Sequence, residues 1–120
     1  MNELTYFLTE KGKIAIGWDE IMDDGFKGEA VVMIWRGDGI NAQNKALKSN
    51  RKMILCPNFY CYFDWKQTFE DDEHGSFGVT PLSKTYSYNP QEVSEASELI
   101  LGIQGISGQS GSQMNMNCSI

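Results

Sequence analysis

Residues 12–21, GKIAIGWDEI, and residues 30–37, AVVMIWRG, decide the fold class of this chain. Each stretch contains a short, continuous apolar run with no polar residue alternating through it. Such runs are typical of strands in a parallel sheet, because those strands are buried on both faces. Each run ends at a tryptophan that precedes a charged residue: Trp18 precedes Asp19, and Trp35 precedes Arg36. The two stretches therefore predict parallel strands with aromatic and charged groups at their ends.

Working outward from these stretches, the pattern predicts strands at 14–18, 31–35, 53–56 and 99–103. A helix is predicted before Gly12, a second from Ile40 to Asn50, and a short third one beginning at Asn89 and Pro90. Residues 58–89 show no clear period and are predicted to be irregular. Strands that alternate with helices favour an α/β fold with a parallel sheet.

Composition excludes several classes of function. The chain has 120 residues, 41% of them hydrophobic, and a formal net charge of −6. One small globular domain fits this length, and the negative charge argues against nucleic acid as a partner. No apolar run approaches the ~20 residues of a membrane span, and the first residues do not read as a signal peptide. Three cysteines form no disulfide framework, so the cellular compartment stays open.

The candidate site lies where the predicted strands end, because the carboxyl ends of parallel strands meet at one edge of a sheet. The aromatic and polar residues expected there are Trp18 and Trp35 and, after the third strand, Tyr60, Tyr62, Asp64 and Trp65. An aromatic ring can stack on a sugar face, and a carboxylate can accept hydrogen bonds from its hydroxyls. The sequence therefore indicates a carbohydrate site, with ordinary core tryptophans as the alternative.

Other acidic groups are less informative. Asp19 and Glu20 are adjacent at a strand end, where neighbouring side chains point to opposite sides, so at most one is expected to face a ligand. His74 and the acidic residues 71–73 read as a solvated turn. No phosphate-binding loop, metal-ligand spacing or nucleophile motif is present, and neither a metal nor a cofactor is expected.

Five motifs, taken in order, resemble the second half of the catalytic barrel of the β-N-acetylhexosaminidases of glycoside hydrolase family 20. They are GKIAIGWDEI (12–21), VMIWRG (32–37), CPNFYCYFDWKQ (56–67), KTYSYNP (84–90) and LILGIQG (99–105). The resemblance covers about residues 3 to 105. It implies a partial (β/α)8 TIM barrel in which the predicted strands are about strands 5–8. It also implies a parent enzyme that hydrolyses terminal N-acetylhexosamine residues of glycans.

The resemblance implies substrate-binding roles for four residues and a catalytic role for none. Trp18 and Trp35 match aromatic residues that wall the pocket for the 2-acetamido group of the substrate. Tyr62 matches the tyrosine whose hydroxyl bonds the acetamido oxygen, and Asp64 matches the aspartate beside it. Catalysis in this family is substrate-assisted: the acetamido oxygen, rather than a protein carboxylate, attacks the anomeric carbon.

The sequence departs from the family pattern in two places. The catalytic Asp-Glu pair of the family lies in a His-x-Gly-Gly-Asp-Glu type motif that is not found here, and Asp19-Glu20 belongs to the motif of the following strand. The chain alone is therefore expected to be inactive. In the family GIQG leads into NLWTE, whereas here it leads into ISGQSGSQMNMNCSI (106–120).

The departure after Gly105 is explained by a shift of reading frame. With suitable synonymous codons, one adenine inserted after the codon for Gly105 restores Gly-Asn-Leu-Trp-Thr-Glu in the expected place. We therefore expect residues 1–105 to be the C-terminal half of a hexosaminidase-type catalytic domain. Residues 106–120 are expected to be a disordered, non-native tail, with a natural flexible terminus as the alternative.

Two other functions remain open from sequence. The chain could be a non-catalytic carbohydrate-binding module that uses Trp18, Trp35 and Tyr62, or one half of a split glycosidase whose N-terminal barrel half is a separate partner. The expected ligand in each case is a glycan or an N-acetylhexosaminide. Four strands cannot close a barrel, so strand edges and apolar surface are expected to stay exposed.

Overall fold

The structure is a computed structural model that describes residues 2–68, 78–90 and 97–107. Its centre is a four-stranded sheet in the order β1-β2-β3-β4, and all neighbouring strands are parallel. The strands are β1 (Ala15–Trp18), β2 (Ala30–Ile34), β3 (Met53–Leu55) and β4 (Ile100–Ile103). The α/β class and the parallel, sequential order predicted from the apolar runs are confirmed, with strand bounds within one residue of those predicted.

The described helices are α1 (Asn2–Glu10), α2 (Ile40–Lys48), α3 (Asn58–Cys61) and α4 (Leu82–Ser87), together with short 3₁₀ helices at Asp19–Met22 and Ser97–Leu99. After α1 the chain turns through Gly12 at φ +67°, and after α2 it turns through Asn50 at φ 51°. Both residues were the predicted stops. None of the described helices has the length and apolar character needed to cross a bilayer.

The segment predicted to be irregular, 58–89, contains α3 and α4. Each of these helices begins directly after a proline, Pro57 or Pro81, whose fixed φ suits the entry to a helix. With four and six residues they are too short to produce an apolar period that a sequence pattern could reveal. The helix predicted from Asn89 onward falls mostly on 91–96, outside the described residues.

One face of the sheet carries the larger core. Val32 and Ile34 of β2 lie in register with Met53 and Leu55 of β3, and all four side chains are buried. Ala46 of α2 packs against them in the same cluster. Because residues two apart on a strand share a face, this alternation places α2 over the centre of the sheet.

The outer strands of the sheet carry exposed apolar side chains. Ile16 and Trp18 on β1 are 57% and 46% exposed, and Leu101 and Ile103 on β4 are 54% and 52% exposed. Strands of a parallel sheet are normally buried on both faces. The described residues therefore confirm the expectation that apolar surface stays exposed on the sheet.

The described chain ends in a junction beside α3. A Cβ atom on Gly105 would run into the ring of Phe63, so a larger residue here would require this partly exposed ring to move. The next residue, Ile106, is held by its main chain: its N–H donates to the Cys61 carbonyl at 2.8 Å, and its carbonyl accepts from the Phe63 N–H at 2.8 Å. Residues 108–120 lie outside the described residues, so the boundary at 105/106 stays a prediction.

Candidate functional site

Aromatic side chains from three strand ends form a continuous row, which we define as Trp18, Trp35, Tyr62 and Trp65. The rings of Trp18 and Trp35 meet edge to face, with centroids 6.5 Å apart. Trp35 and Tyr62 are nearly parallel, with centroids 6.4 Å apart and an interplanar angle of 21°. Trp65 meets Tyr62 edge to face at 6.2 Å. The structure therefore brings together Trp18, Trp35 and Tyr62, and with them Trp65, which the sequence also places after the third strand.

The parallel register explains why residues so distant in sequence meet. Trp18 ends β1 in register with Met33 of β2, so Trp35 emerges two residues farther on, at the same edge of the sheet. Tyr62 reaches this edge because α3 follows directly after the end of β3. The row is thus a product of strand order, and the nearly half-exposed Trp18 leaves one end of it open to solvent.

The hydroxyl of Tyr62 is held in its protonated form. Burial and, to a smaller extent, the neighbouring acidic groups Cys56, Asp64 and Glu20 together raise its pKa from 10.0 to about 12. A phenol with this pKa keeps its proton throughout the neutral range. Tyr62 is therefore a hydrogen-bond donor within the row, between Trp35 and Trp65.

Asp64, the fourth residue expected in the site, lies close enough to Tyr62 to act on its pKa. Its Oδ1 atom is buried and accepts no hydrogen bond from the described residues, and the same holds for Oδ1 of Asn58. An unpaired buried acceptor costs about 1–3 kcal/mol. These two oxygens are therefore buried acceptors whose hydrogen-bonding capacity is unused by the described residues.

Asp19 supports the row from beneath rather than lining it. Its side chain is 0% exposed, and its Oδ2 accepts the backbone N–H of Trp35 at 3.1 Å and that of Arg36 at 3.5 Å. The Arg36 side chain also forms an ion pair with it through Nε. The carboxylate is thus buried and bonded to the main chain and side chain of the neighbouring strand end.

Glu20 is exposed and accepts the indole N–H of Trp35 at 2.9 Å. Alternation of Asp19 and Glu20 was predicted for a strand, but β1 ends at Trp18 and a 3₁₀ helix begins at Asp19. The tighter turn lets both carboxylates reach the same tryptophan. The sequence gives only a weak signal for these contacts with Trp35. The signal is that two acids directly follow Trp18 at one strand end, while Trp35 stands at the end of the next strand. That at most one of the two carboxylates faces a ligand stays a prediction.

A short chain of ion pairs connects the site to α2. Asp23 accepts from Arg36 Nη1 at 2.9 Å and from Lys45 Nζ at 2.7 Å. The hydrogen bond from Lys45, followed by that from Arg36, lowers the pKa of Asp23 below its ordinary value. An open cavity of about 470 Å³ lies beside this network. Because these charges pair with one another, we assign the network a structural role.

The remaining candidate groups add no chemistry. Burial raises the pKa of the Cys56 and Cys61 thiols to about 12 and about 11, so both are neutral and poorly nucleophilic. His74 and the acidic residues 71–73 lie outside the described residues. Within the described ranges, no group of three side chains is arranged to hold a metal ion.

Comparisons with known proteins agree with this architecture. The chain matches the family described as glycosyl hydrolase family 20, catalytic domain, over residues 1–111. It is 37% identical over 89 residues to a beta-hexosaminidase of Porphyromonas gingivalis, covering 69% of this chain and 11% of that protein. It is 34% identical over 104 residues to a beta-hexosaminidase of Vibrio furnissii, covering 81% and 17%. The chain thus spans less than a fifth of either relative.

Solved structures share the fold. The exo-β-N-acetylglucosaminidase of Vibrio harveyi in complex with N-acetylglucosamine matches with a TM-score of 0.73 at 25% identity, covering 89% of this chain and 18% of that one. A mutant beta-hexosaminidase of Streptomyces plicatus in complex with its product, GlcNAc, matches with a TM-score of 0.75 at 21% identity, covering 89% and 23%. The fold is accordingly a partial (β/α)8 barrel. The family match covers most of the chain, which therefore belongs to glycosyl hydrolase family 20.

Proposed function

We propose that this chain carries part of the sugar site of a β-N-acetylhexosaminidase, with the aromatic row as the pocket for the 2-acetamido group of a terminal N-acetylhexosamine. The observation that carries the proposal is the contact of Trp18, Trp35 and Tyr62 at one sheet edge. Indole faces offer apolar walls to the acetamido methyl group. The names of the curated relatives, and the N-acetylglucosamine held by solved neighbours, support this class of ligand.

Two polar groups would fix the acetamido group within these walls. The protonated hydroxyl of Tyr62 donates to the acetamido oxygen, and the unpaired Oδ1 of Asp64 accepts a hydrogen bond from the ligand. In substrate-assisted hydrolysis the acetamido oxygen bonds to the anomeric carbon while the bond from that carbon to the leaving oxygen breaks. Holding that oxygen in place is the contribution that we propose for these residues.

We propose further that the chain alone does not hydrolyse glycosides. The leaving oxygen needs a proton from a general acid, which typically contributes about 10²–10⁴-fold in rate. Asp19 is buried in an ion pair, and Glu20 is bonded to Trp35. Neither carboxyl group is free to deliver that proton, so the described site binds without completing the reaction.

Ligand binding tests the pocket. Titration of the purified chain with N-acetylglucosamine, followed by tryptophan fluorescence, is expected to give saturable binding that glucose does not reproduce. Tyr62→Phe removes one hydrogen bond worth about 1 kcal/mol and should weaken affinity about fivefold. Tyr86→Phe, which alters an exposed phenol, is the matched control. Equal affinity for glucose, or no loss in Tyr62→Phe, would contradict the pocket assignment.

An activity assay tests the missing acid. A chromogenic N-acetyl-β-glucosaminide should give no turnover above background with the wild-type chain, Asp19→Asn or Glu20→Gln. Turnover that Glu20→Gln abolishes would show that the chain carries its own acid, and the proposal would have to be abandoned.

A split glycosidase is a second candidate, favoured by the exposed apolar side chains on both outer strands. A partner that supplies the other barrel strands would cover them and bring the general acid. Co-expression with a polypeptide that carries the His-x-Gly-Gly-Asp-Glu motif should then restore turnover. Purified pairs that neither associate nor turn over would leave the binding module as the better description.

We also propose that residues 106–120 are read out of the family's frame. Support comes from the sequence, in which GIQG (102–105) leads into ISGQSGSQMNMNCSI (106–120) rather than into the NLWTE of the family. Resequencing the gene around the Gly105 codon tests this directly. A confirmed sequence without a missing base, in independent clones, would favour a natural terminus.

A further inference from the structure

We infer that Glu20 is a positioning residue, which sets the orientation of the Trp35 indole and thereby one wall of the pocket, with Asp19 fixing the backbone beneath it. The inference rests on the proposed function, because it specifies how that pocket is held in shape. It assigns the two adjacent acids to one tryptophan rather than to acid–base chemistry. The assignment follows from three sets of contacts.

The first set fixes the main chain of Trp35. This residue lies just beyond the end of β2, where the regular ladder stops. Its carbonyl accepts the N–H of Asn58 at 2.8 Å, and its own N–H donates to the buried carboxylate of Asp19 at 3.1 Å. Both backbone polar groups are therefore bonded, which holds the Cα–Cβ direction of Trp35 steady.

The second contact fixes the side chain. With the backbone held, the indole still has two rotatable bonds, and contacts with neighbouring rings are tolerant of sliding. The Nε1–H···Oε1 bond to Glu20, at 2.9 Å, is directional and charge-assisted. It selects the orientation in which the indole lies within 21° of the Tyr62 ring plane.

The third set explains how Glu20 reaches the indole. A strand continued past Trp18 would point Asp19 and Glu20 to opposite faces, but the 3₁₀ helix Asp19–Met22 turns both toward the end of β2. The Arg36 side chain pairs with Asp19 and Asp23, and Asp23 pairs with Lys45 of α2. These ion pairs connect the 3₁₀ helix to the end of β2 and to α2. The main chain that carries Glu20 is therefore held in place.

A preset indole lowers the ordering cost of ligand binding, because the ligand need not select one orientation from several. Glu20 should therefore influence affinity more than stability, since its own side chain is exposed and its hydrogen bond is in contact with solvent. This difference separates a positioning role from a structural one.

The experiment compares Glu20→Ala with Glu20→Gln, whose amide oxygen can still accept the indole N–H. Glu29→Ala, an exposed acid just before β2, is the matched control. For each full-length variant, the near-UV circular dichroism, the urea unfolding midpoint and the affinity for N-acetylglucosamine are measured. Glu20→Ala should change the aromatic dichroism and weaken binding about fivefold while leaving the midpoint nearly unchanged; Glu20→Gln should retain most of both signals.

A double-mutant cycle completes the test. In a Trp35→Phe background there is no indole N–H, so Glu20→Ala should change neither the dichroism nor the affinity further. An equal effect of Glu20→Ala in both backgrounds, or equal losses in Glu20→Gln and Glu20→Ala, would overturn the inference, as would unchanged dichroism in Glu20→Ala.

The two proposals fail separately. If the wild type does not bind N-acetylglucosamine, the proposed function fails, but the dichroism cycle still decides whether Glu20 orients Trp35. If binding is present and insensitive to Glu20→Ala, the pocket stands and the positioning role falls.

Discussion

The two ends of the same sheet are built differently. At the carboxyl end, Arg36 is bonded to side chains, the carboxylates of Asp19 and Asp23, and Asp19 in turn accepts the backbone N–H of Trp35. At the amino end, Arg51 is bonded to main chain: its Nη1 and Nη2 donate to the carbonyls of Gly28 and Phe26, each at 2.7 Å. Arg36 thus pairs with side chains, whereas Arg51 is bonded to main-chain carbonyls.

The cationic groups at the amino end show the same difference. An open cavity of about 460 Å³ lies there, and Lys13, Lys27 and Lys52 are among the residues that line it. Within the described ranges none of these lysines pairs with a carboxylate, whereas Lys45 near the carboxyl end does. In parallel α/β folds the carboxyl end carries function and the amino end carries stability. In the described residues, the ion pairs between side chains lie near the carboxyl end, and the lysines that line the cavity at the amino end form none.

Asp19→Ala should have the largest effect on the comparison. It leaves the N–H of Trp35 and the Arg36 side chain without their buried partner, so the free energy of unfolding should fall by about 3 kcal/mol. Urea denaturation measures this loss. A variant as stable as the wild type would mean that the carboxyl end is not held by this carboxylate.

Arg51→Met should have an intermediate effect on stability and none on binding. The methionine keeps contact with the Phe26 ring, over which the guanidinium lies at 5.1 Å, but both carbonyl bonds are lost. We expect a loss of about 1–2 kcal/mol. Urea unfolding and N-acetylglucosamine titration are compared with those of Asp19→Ala. Weakened affinity in a folded Arg51→Met chain would contradict the idea that the amino end of the sheet contributes to stability and not to binding.

Alkaline pH sharpens the comparison through Tyr62. Its pKa is about 12 in the folded chain and ordinarily 10.0, so the unfolded chain releases this proton first. The stability that depends on it is complete below pH 10 and falls as the pH rises toward about 12. Tyr62→Phe should therefore flatten the decline in urea midpoint over this window. A decline of unchanged slope would show that Tyr62 is not the buried phenol responsible.

Acid should produce the smallest effect, through Asp23. Because Lys45 and Arg36 lower its pKa, its contribution is present above about pH 3.8 and is lost as the pH falls through the lowered value. Lys45→Met removes the largest cause and should make the acid loss smaller. Since these side chains are exposed, the difference should shrink further at high salt. The urea midpoint against pH, at two salt concentrations, checks this; a salt-independent difference would contradict it.

The strands could be predicted because each is a continuous apolar run, and the family resemblance, now confirmed, was carried by the residues at their ends. The helices α3 and α4 could not, because a turn or two of helix leaves no period. The hydrogen bond from Trp35 to Glu20 could not be predicted from sequence either. It depends on the 3₁₀ helix that begins at Asp19, whereas strand alternation predicts an extended chain there. Contacts made by bends are decided by tertiary packing rather than by local pattern.

The junction between Gly105 and Ile106 has a consequence for how errors in a gene are tolerated. At Gly105 an added side chain would collide with the Phe63 ring, which would have to move to admit it. At Ile106 the described hydrogen bonds use N–H and C=O groups that nearly every amino acid carries, so these bonds do not depend on which side chain is present. A missing base before β4 would replace residues of the sheet, whereas one after the Gly105 codon leaves all four strands unchanged. Ile106→Asn should accordingly leave the unfolding midpoint nearly unchanged, while Gly105→Ala should lower it.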